Sequence, residues 1–176
     1  MNPKVCVLGA SGFVGSAIIS RLEMVGIDWV GVSRNANDHP KFIQASLDDR
    51  DMLSELITDY SCVINAMGSH KPKDFESDTK LVFCQFWESI QKLNLILRDS
   101  KVDTLLHISS AGTVYGEYID EPFKEDSLLL PISWYGRAKT IEESLYEKQA
   151  YEFGFNYKCA RLANPFGNEV YTKHGF

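Results

Sequence analysis

Short apolar segments alternate along the chain with segments in which apolar residues recur every three or four positions. The first pattern is typical of strands buried on both faces, and the second is typical of helices that bury one face. The predicted strands cover residues 4–9, 28–33, 41–45, 61–66, 104–109 and 156–162. The predicted helices cover residues 12–25, 48–56, about 76–99 and about 133–153. This alternation indicates βαβ units and therefore a parallel sheet.

The order of these elements predicts one doubly wound α/β domain. No repeat, low-complexity tract or linker divides the 176 residues, a length that suits a single core. Because crossovers between parallel strands are right-handed, we expect a six-stranded sheet in the order 3-2-1-4-5-6, with helices on both faces.

Composition narrows the classes of function. The net charge of −6 argues against a nucleic-acid surface, which usually carries a basic patch. No apolar run approaches the ~20 residues that span a bilayer, and the N-terminus has no signal-peptide pattern. The four cysteines and four histidines are scattered without metal-ligand spacing. We therefore expect a cytoplasmic protein without a membrane, nucleic-acid or metal partner.

The segment GASGFVG lies where the first predicted strand becomes the first helix. In this position Gly9 allows a tight turn, Gly12 lets the backbone approach a diphosphate, and Gly15 lets the helix pack closely on the sheet. The N–H groups at the helix N-terminus attract the anion. The alternative is that the three glycines serve packing alone, but their position favours a dinucleotide site.

The segment WYGRAKTIEE places Tyr135 and Lys139 four residues apart in a predicted helix. At this spacing two side chains share one helix face, about 5–6 Å apart at Cβ. One interpretation is a solvated pair on the surface. The other is a phenol that exchanges protons beside an ammonium group. The spacing alone does not distinguish these interpretations.

Taken together, the motifs give the chain a resemblance to a known family. The matching segments are GASGFVG, NAMG (65–68), HISSAGTVYG (107–116), EDSLLLPISWYGRAK (125–139), Glu143 and RLANPFG (161–167). In this order they resemble the extended short-chain dehydrogenase/reductase enzymes, and among them the NAD-dependent epimerase/dehydratase family that acts on nucleotide sugars. The resemblance covers nearly the whole chain and implies a Rossmann-type fold.

The resemblance implies that Tyr135 exchanges a proton with a sugar hydroxyl while a hydride moves to or from the nicotinamide. It also implies that Lys139 holds the nicotinamide ribose. An ordinary tyrosine has a pKa near 10, so a base working near pH 7 needs a shift of roughly 3 units, or about 4 kcal/mol. A neighbouring ammonium and an oxidised nicotinamide both act in that direction. The proton relay is therefore favoured over the surface pair.

The hydroxyl partner of the relay departs from the family pattern. Family members usually carry Ser or Thr two residues before the position of Thr113, where it bonds the reacting oxygen, and this chain has Ala111 there. Ser110 and Thr113 are neighbouring hydroxyls that could replace it, and we expect them to act jointly. The alternative is that Ser110 only satisfies backbone groups and Thr113 only packs.

The resemblance also implies a set of cofactor contacts. They are Gly9, Ser11, Gly12, Phe13, Val14, Gly15, Ser33, Arg34, Leu47, Ala66, Met67, Gly68, Gln85, Ser109, Tyr135, Lys139 and Ala163. At the end of the second strand an acidic residue would mark NAD, but this chain has Ser33 and Arg34. A hydroxyl and a guanidinium suit a 2′-phosphate, so NADP is favoured over NAD. A solvated arginine after a strand is the alternative.

The predicted function is that of a nucleotide-sugar epimerase or dehydratase, with Asn164 implied to face the diphosphate of the substrate. One alternative is an NADPH-dependent 4-keto-sugar reductase, which Arg34 would suit. Another is a catalytically silent dinucleotide-binding module, which Ala111 and the end of the chain at residue 176 would suit.

The resemblance implies two further expectations about organisation. Family members continue into a segment that builds most of the sugar pocket, so we expect residues 1–176 to be the NAD(P)-binding domain without that segment. Family members commonly pair through the two long helices, so we expect a homodimer through residues of about 76–99 and 133–153. The apolar bulk of the first of these helices agrees with a covered surface.

Overall fold

The protein folds around a six-stranded parallel sheet in the order β3-β2-β1-β4-β5-β6. The computed structural model describes residues 3–35, 37–68, 70–100, 102–117 and 122–167. The strands are β1 (Lys4–Leu8), β2 (Asp28–Ser33), β3 (Phe42–Gln44), β4 (Cys62–Asn65), β5 (Thr104–Ser110) and β6 (Asn156–Leu162). The helices are α1 (Phe13–Met24), α2 (Arg50–Thr58), α3 (Pro72–Ser77), α4 (Thr79–Asp99), α5 (Ala111–Val114) and α6 (Trp134–Phe153). The predicted fold class and strand order are confirmed.

Helices cover both faces of the sheet. Successive residues of each strand point to opposite sides of the sheet, and the apolar side chains on each side pack against helices. On one face, Cys6 and Leu8 of β1 join a core cluster that includes buried residues of α2, α4 and α6. On the other face, Val5 and Val7 join a second cluster with Ile19 of α1. The strands between these clusters are apolar on both sides, which explains their continuous apolar sequences.

The prediction of one long helix over about 76–99 is wrong at its start, because the helix is interrupted at Asp78, which separates α3 from α4. Asp78 has extended backbone angles (φ −149°, ψ 81°), and its side chain accepts a hydrogen bond from the backbone N–H of Leu81. This is the behaviour of an N-cap aspartate. Before it, Pro72 occupies the first position of α3, where its missing N–H costs nothing. The four-residue α5 was also absent from the predicted elements.

The carboxyl ends of β1, β2 and β4 meet at one edge of the sheet, where the strand order reverses. In open parallel sheets this switch point is where ligands bind. Within the described residues, no helix combines the length and the apolar character needed to cross a membrane.

Candidate active site

Backbone atoms pack closely against two glycines of the turn after β1, Gly9 and Gly15. Gly9 has a φ of +77°, and a Cβ there would lie 2.7 Å from the carbonyl oxygen of Ala66. A Cβ on Gly15 would lie 2.2 Å from the carbonyl oxygen of Gly9. Neither position can accept a side chain without moving backbone. Gly12, the N-cap of α1, has no capping side chain, so the first N–H groups of α1 are available to an anion.

A cleft of about 340 Å³ opens from this turn along the carboxyl edge of the sheet. Its lining includes these residues for which a cofactor contact is predicted: Gly9, Ser11, Gly12, Ser33, Arg34, Leu47, Ala66, Met67, Gly68, Tyr135 and Lys139. The structure therefore gathers residues from distant parts of the chain around one cavity.

Other predicted contacts lie beside the cleft without lining it. Phe13, Val14 and Gly15 belong to the first turn of α1. The Gln85 side chain lies 3.2 Å from His70, which does line the cleft. Ala163 is exposed after β6, and its neighbour Asn164 has its side-chain oxygen 3.5 Å from the Cβ position of Gly112.

The edge of the cleft at β2 carries the residues predicted to select the cofactor. Ser33 is buried, and its hydroxyl lies 2.8 Å from that of Ser11. The same oxygen accepts a hydrogen bond from the backbone N–H of Asn35 at 3.2 Å. Arg34 is exposed, and its carbonyl oxygen accepts a hydrogen bond from Gln44. Arg34 is therefore an exposed residue at the rim of the cleft, whereas the Ser33 hydroxyl is held within a local network.

Helix α6 brings Tyr135 and Lys139 to the opposite wall. The helix begins with Ser133, whose hydroxyl accepts a hydrogen bond from the N–H of Gly136 at 3.0 Å. Tyr135 is half-buried, and its ring meets that of Phe75 edge to face, with 5.9 Å between centroids. Lys139 is only 8% exposed. The two residues are therefore not a solvated surface pair.

The charge on Lys139 has a buried partner that the sequence analysis missed. Lys139 Nζ donates a hydrogen bond of 2.7 Å to Glu142 Oε2, one turn further along α6. Burial by itself lowers the pKa of Lys139, but attraction to Glu142 and then to Tyr135 outweighs it and raises the pKa. Burial likewise raises the pKa of Glu142, but Lys139 and then His107 overcome it and hold the pKa at about 2. Both groups are therefore charged near neutral pH.

The predicted hydroxyl partners are Ser110, which ends β5, and Thr113, which lies in α5; the predicted cofactor contact Ser109 directly precedes Ser110. The Ser109 hydroxyl is buried and donates to a carboxylate oxygen of Glu143. Thr113 Oγ1 is buried and makes no hydrogen bond to any group in the part of the chain described here. Ser110 is half-buried at the N-cap of α5. The described lining of the cleft includes none of these three, so the structure brings them near α6 without placing them beside the cavity.

Glu143 anchors a second network on the far side of α6. It accepts hydrogen bonds from Arg161 Nε and Nη2, at 3.2 and 2.9 Å, in addition to the one from Ser109. Burial raises the pKa of Glu143, but the bonds from Arg161 and Ser109 give a net lowering. Arg161 also donates to the hydroxyl of Tyr115 at 2.9 Å. This network ties β5, β6 and α6 together behind the cleft.

The chain can now be compared with known proteins. A sequence model of the NAD dependent epimerase/dehydratase family matches residues 5–176. The UDP-glucose 4-epimerase of Streptococcus mutans is 28% identical over 184 residues, which cover 93% of this chain and 52% of that enzyme. The dTDP-4-dehydro-6-deoxyglucose reductase of Escherichia coli is 37% identical over 71 residues, which cover 40% of this chain and 22% of that enzyme.

Solved structures agree with the sequence comparison. The structure of the UDP-glucose 4-epimerase from Brucella ovis in complex with NAD matches with a TM-score of 0.82 and 25% identity. The match covers 97% of this chain and 54% of that one. The chain spans about half the length of the curated relatives it matches.

A parallel sheet with a glycine turn after its first strand, and a cleft where the strand order reverses, defines the Rossmann class of proteins. Within that class, the chain belongs to the NAD dependent epimerase/dehydratase family, because the family match extends over almost all of it. The members of this family are enzymes. The predicted resemblance is confirmed.

Proposed function

We propose that residues 1–176 form the NAD(P)-binding domain of a nucleotide-sugar epimerase or dehydratase, in which Tyr135 and Lys139 carry out proton transfer. One observation carries this proposal: both residues line the cleft into which the glycine turn opens. The named relatives support the substrate class, since the Streptococcus mutans enzyme is a UDP-glucose 4-epimerase.

The cleft fits a dinucleotide on chemical grounds. Gly12 places no side chain over the N-terminus of α1, so its first N–H groups are open to a diphosphate. The adenosine half would then lie towards Ser33 and Arg34, and the nicotinamide half towards Tyr135 and Lys139. Bound NAD(P) would supply the hydride acceptor and donor.

Tyr135 acts in this proposal as the acid and base at the sugar hydroxyl. Its ring packs edge to face on Phe75, and the buried Lys139 follows one helical turn later on the same wall of the cleft. The ammonium stabilises negative charge that develops on the phenol oxygen. The Thr113 hydroxyl has no hydrogen-bond partner among the described residues, and we propose that it bonds the reacting sugar oxygen once α5 moves towards the cleft, which Thr113 does not line in this structure. Ser110 is its proposed partner, and Asn164 is proposed to face the substrate diphosphate.

Cofactor preference is a separate proposal, in favour of NADP. It rests on the exposed guanidinium of Arg34 at the rim and on Ser33 in place of an acidic residue. The Brucella ovis structure contains NAD, so this preference would distinguish the chain from that relative.

A second candidate function is an NADPH-dependent 4-keto-sugar reductase. Arg34 favours it, and so does the local identity to the dTDP-4-dehydro-6-deoxyglucose reductase of Escherichia coli. An epimerase recycles its bound cofactor, whereas a reductase consumes NADPH in proportion to product. A catalytically silent module, which Ala111 would suit, binds cofactor without turning over either class of substrate.

The proposal is tested by calorimetric titration of NAD and NADP into the protein, followed by incubation with UDP-sugars and dTDP-4-keto sugars. We expect cofactor binding in the parent and weaker binding in Lys139→Met. Exchange of epimers without net NADPH loss supports the epimerase, and stoichiometric NADPH loss supports the reductase. Absence of cofactor binding in the folded parent would contradict the whole proposal.

A further inference from the structure

Glu142 lies at the floor of the cleft, enclosed by polar groups from three elements. From α6, Lys139 donates to its Oε2 at 2.7 Å and the Tyr146 hydroxyl donates to its Oε1 at 3.4 Å. From β5, His107 Nε2 approaches Oε2 to 3.2 Å. From β4, Asn65 Nδ2 donates to the Tyr146 hydroxyl at 3.3 Å. Glu142 is 7% exposed, so its partners rather than water determine its state.

His107 holds this carboxylate from the sheet side. It is 1% exposed, and its Nδ1 lies 3.1 Å from the hydroxyl of Tyr157 on β6. Its Nε2 lies 3.2 Å from Glu142 Oε2 without the alignment of a regular hydrogen bond, so the ring closes the sheet side of the carboxylate by direct contact. The ring also meets Tyr146 edge to face, with 5.1 Å between centroids. His107 thus has little freedom to move away.

A charged lysine in such a site is unfavourable unless a partner compensates it. The titratable groups that interact with Lys139 are Glu142, Tyr135 and, on β6, Cys159. Of these groups, Glu142 is the one with a direct hydrogen bond to Nζ and a full opposite charge. Removal of one member of a buried pair leaves an uncompensated charge, which usually loses its proton or its position.

We propose that Glu142 is a positioning residue for the proton relay: its carboxylate fixes the Lys139 ammonium at the floor of the cleft, and His107 fixes the carboxylate to β5. This inference rests on the proposed function, in which Lys139 serves Tyr135 and the cofactor. It adds that a buried carboxylate holds Lys139 in place before any cofactor binds. Lys139 still has donors to offer, because an ammonium has three.

The pairing is tested by competitive acetylation of the full chain across a pH series, with the labelling of Lys139 quantified by mass spectrometry. Only a neutral amine is acetylated, so the midpoint reports when Lys139 loses its proton. In Glu142→Gln we expect this midpoint to fall by about 1–3 units, as for a buried lysine without a partner. Glu142→Asp, which keeps the charge, should restore part of the shift.

Glu143→Gln is the matched control, because it removes the neighbouring buried carboxylate, which binds Arg161 and Ser109 instead of Lys139. We expect the Lys139 midpoint of this variant to equal that of the parent. An unchanged midpoint in Glu142→Gln, or an equal fall in both variants, would overturn the inference.

Cofactor titration separates this inference from the proposed function. If Glu142 positions Lys139, Glu142→Gln should weaken NADP binding several-fold while circular dichroism stays parental. Parental NADP affinity in Lys139→Met contradicts the proposed function, whereas parental affinity in Glu142→Gln alone contradicts the positioning role. If Glu142→Gln fails to fold, the test is the double variant that also carries Lys139→Met. Because this variant has no unpaired charge, its free energy of unfolding should be higher than that of either single variant. If the stability changes of the two single variants simply add in the double variant, the proposed pairing is wrong.

Discussion

The carbonyl oxygen of Thr113 occupies the space next to Gly136, 2.3 Å from where a Cβ on that residue would lie. This contact brings α5 against the first turn of α6, one residue after Tyr135. The glycine of WYGRAK is therefore a requirement of close packing between two elements that each carry a proposed site residue.

Gly136→Ala should destabilise the protein by about 1–3 kcal/mol, because backbone must move to admit the methyl group. In an unconstrained helix the same change stabilises by about 0.5–1 kcal/mol. The sign of the change in the free energy of unfolding therefore tests whether the contact is present. Urea denaturation measures the effect. Ser144→Ala at an exposed position of the same helix is the control, with a small gain expected. Stabilisation by Gly136→Ala would contradict the contact.

Tyr135→Phe should reduce turnover by about 10²–10⁴-fold, because it removes the group proposed to transfer the proton. The aromatic ring remains and still meets Phe75, so folding and cofactor affinity should stay near parental values. The measurement is the rate of epimer or product formation, beside a titration of NADP. Phe75→Leu provides a comparison, because it removes the aromatic contact and should lower the stability of the protein but leaves the hydroxyl of Tyr135 in place. Parental turnover in Tyr135→Phe would disprove the relay.

Stability should fall in acid in a way that depends on Glu142. Its pKa is about 2 in the folded protein, against an ordinary value of 4.5. Above pH 4.5 both folded and unfolded states are ionised, and the full stabilisation is present. As the pH falls from 4.5 towards 2, the unfolded state takes up a proton first, so stability is lost.

Glu142→Gln should flatten this dependence, by an amount on the order of a few kcal/mol across the interval. The measurement is the urea midpoint of parent and variant at several pH values. Because other carboxylates titrate in both proteins, the difference between the two curves is the relevant quantity. Parallel curves would show that the Glu142 pKa is not lowered by folding.

Arg34→Ala should weaken NADP binding by about 10–100-fold and leave NAD binding nearly unchanged. The expected size is that of a hydrogen bond between charged groups, about 1.5–3 kcal/mol. Ser33→Asp should shift the preference towards NAD by repelling the 2′-phosphate. Calorimetric titration of both cofactors provides the comparison. Tighter NAD than NADP binding in the parent would refute the proposed preference.

We propose that the protein forms a homodimer through the outer surfaces of α4 and α6. Leu81 and Trp87 on α4, and Trp134 and Ile141 on α6, are large apolar side chains that remain exposed. We expect a dimer by light scattering at micromolar concentration, and a monomer in Trp87→Glu. Met24→Glu, at an exposed position at the end of α1 and outside both helices, should leave the oligomeric state unchanged. A monomeric parent would end this proposal.

Much of the fold could be predicted from local sequence patterns. The strand order could be predicted because β1 to β6 are apolar runs separated by helical segments, and because crossover handedness is general. The glycine turn could be placed because its context, strand before and helix after, lies in adjacent sequence. The break at Asp78 was missed because one N-cap aspartate interrupts an otherwise helical apolar period.

The environment of Lys139 could not be predicted in the same way. Glu142 is three residues away in sequence, and that spacing alone would equally suit an exposed pair. Its burial depends on His107, which faces α6 only when β5 lies between β4 and β6. Contacts between residues 35 positions apart arise from the assembled sheet, which no local pattern encodes.

The closed glycine turn has a consequence for how this protein can change over evolutionary time. Its proposed diphosphate site is made of backbone, whose N–H groups are the same whatever side chains surround them. Selection can therefore act on Ser33 and Arg34 at the rim without altering the anchoring step. If Ser33 and Arg34 select the cofactor as proposed, single substitutions at that rim change the preference and require no change in the turn.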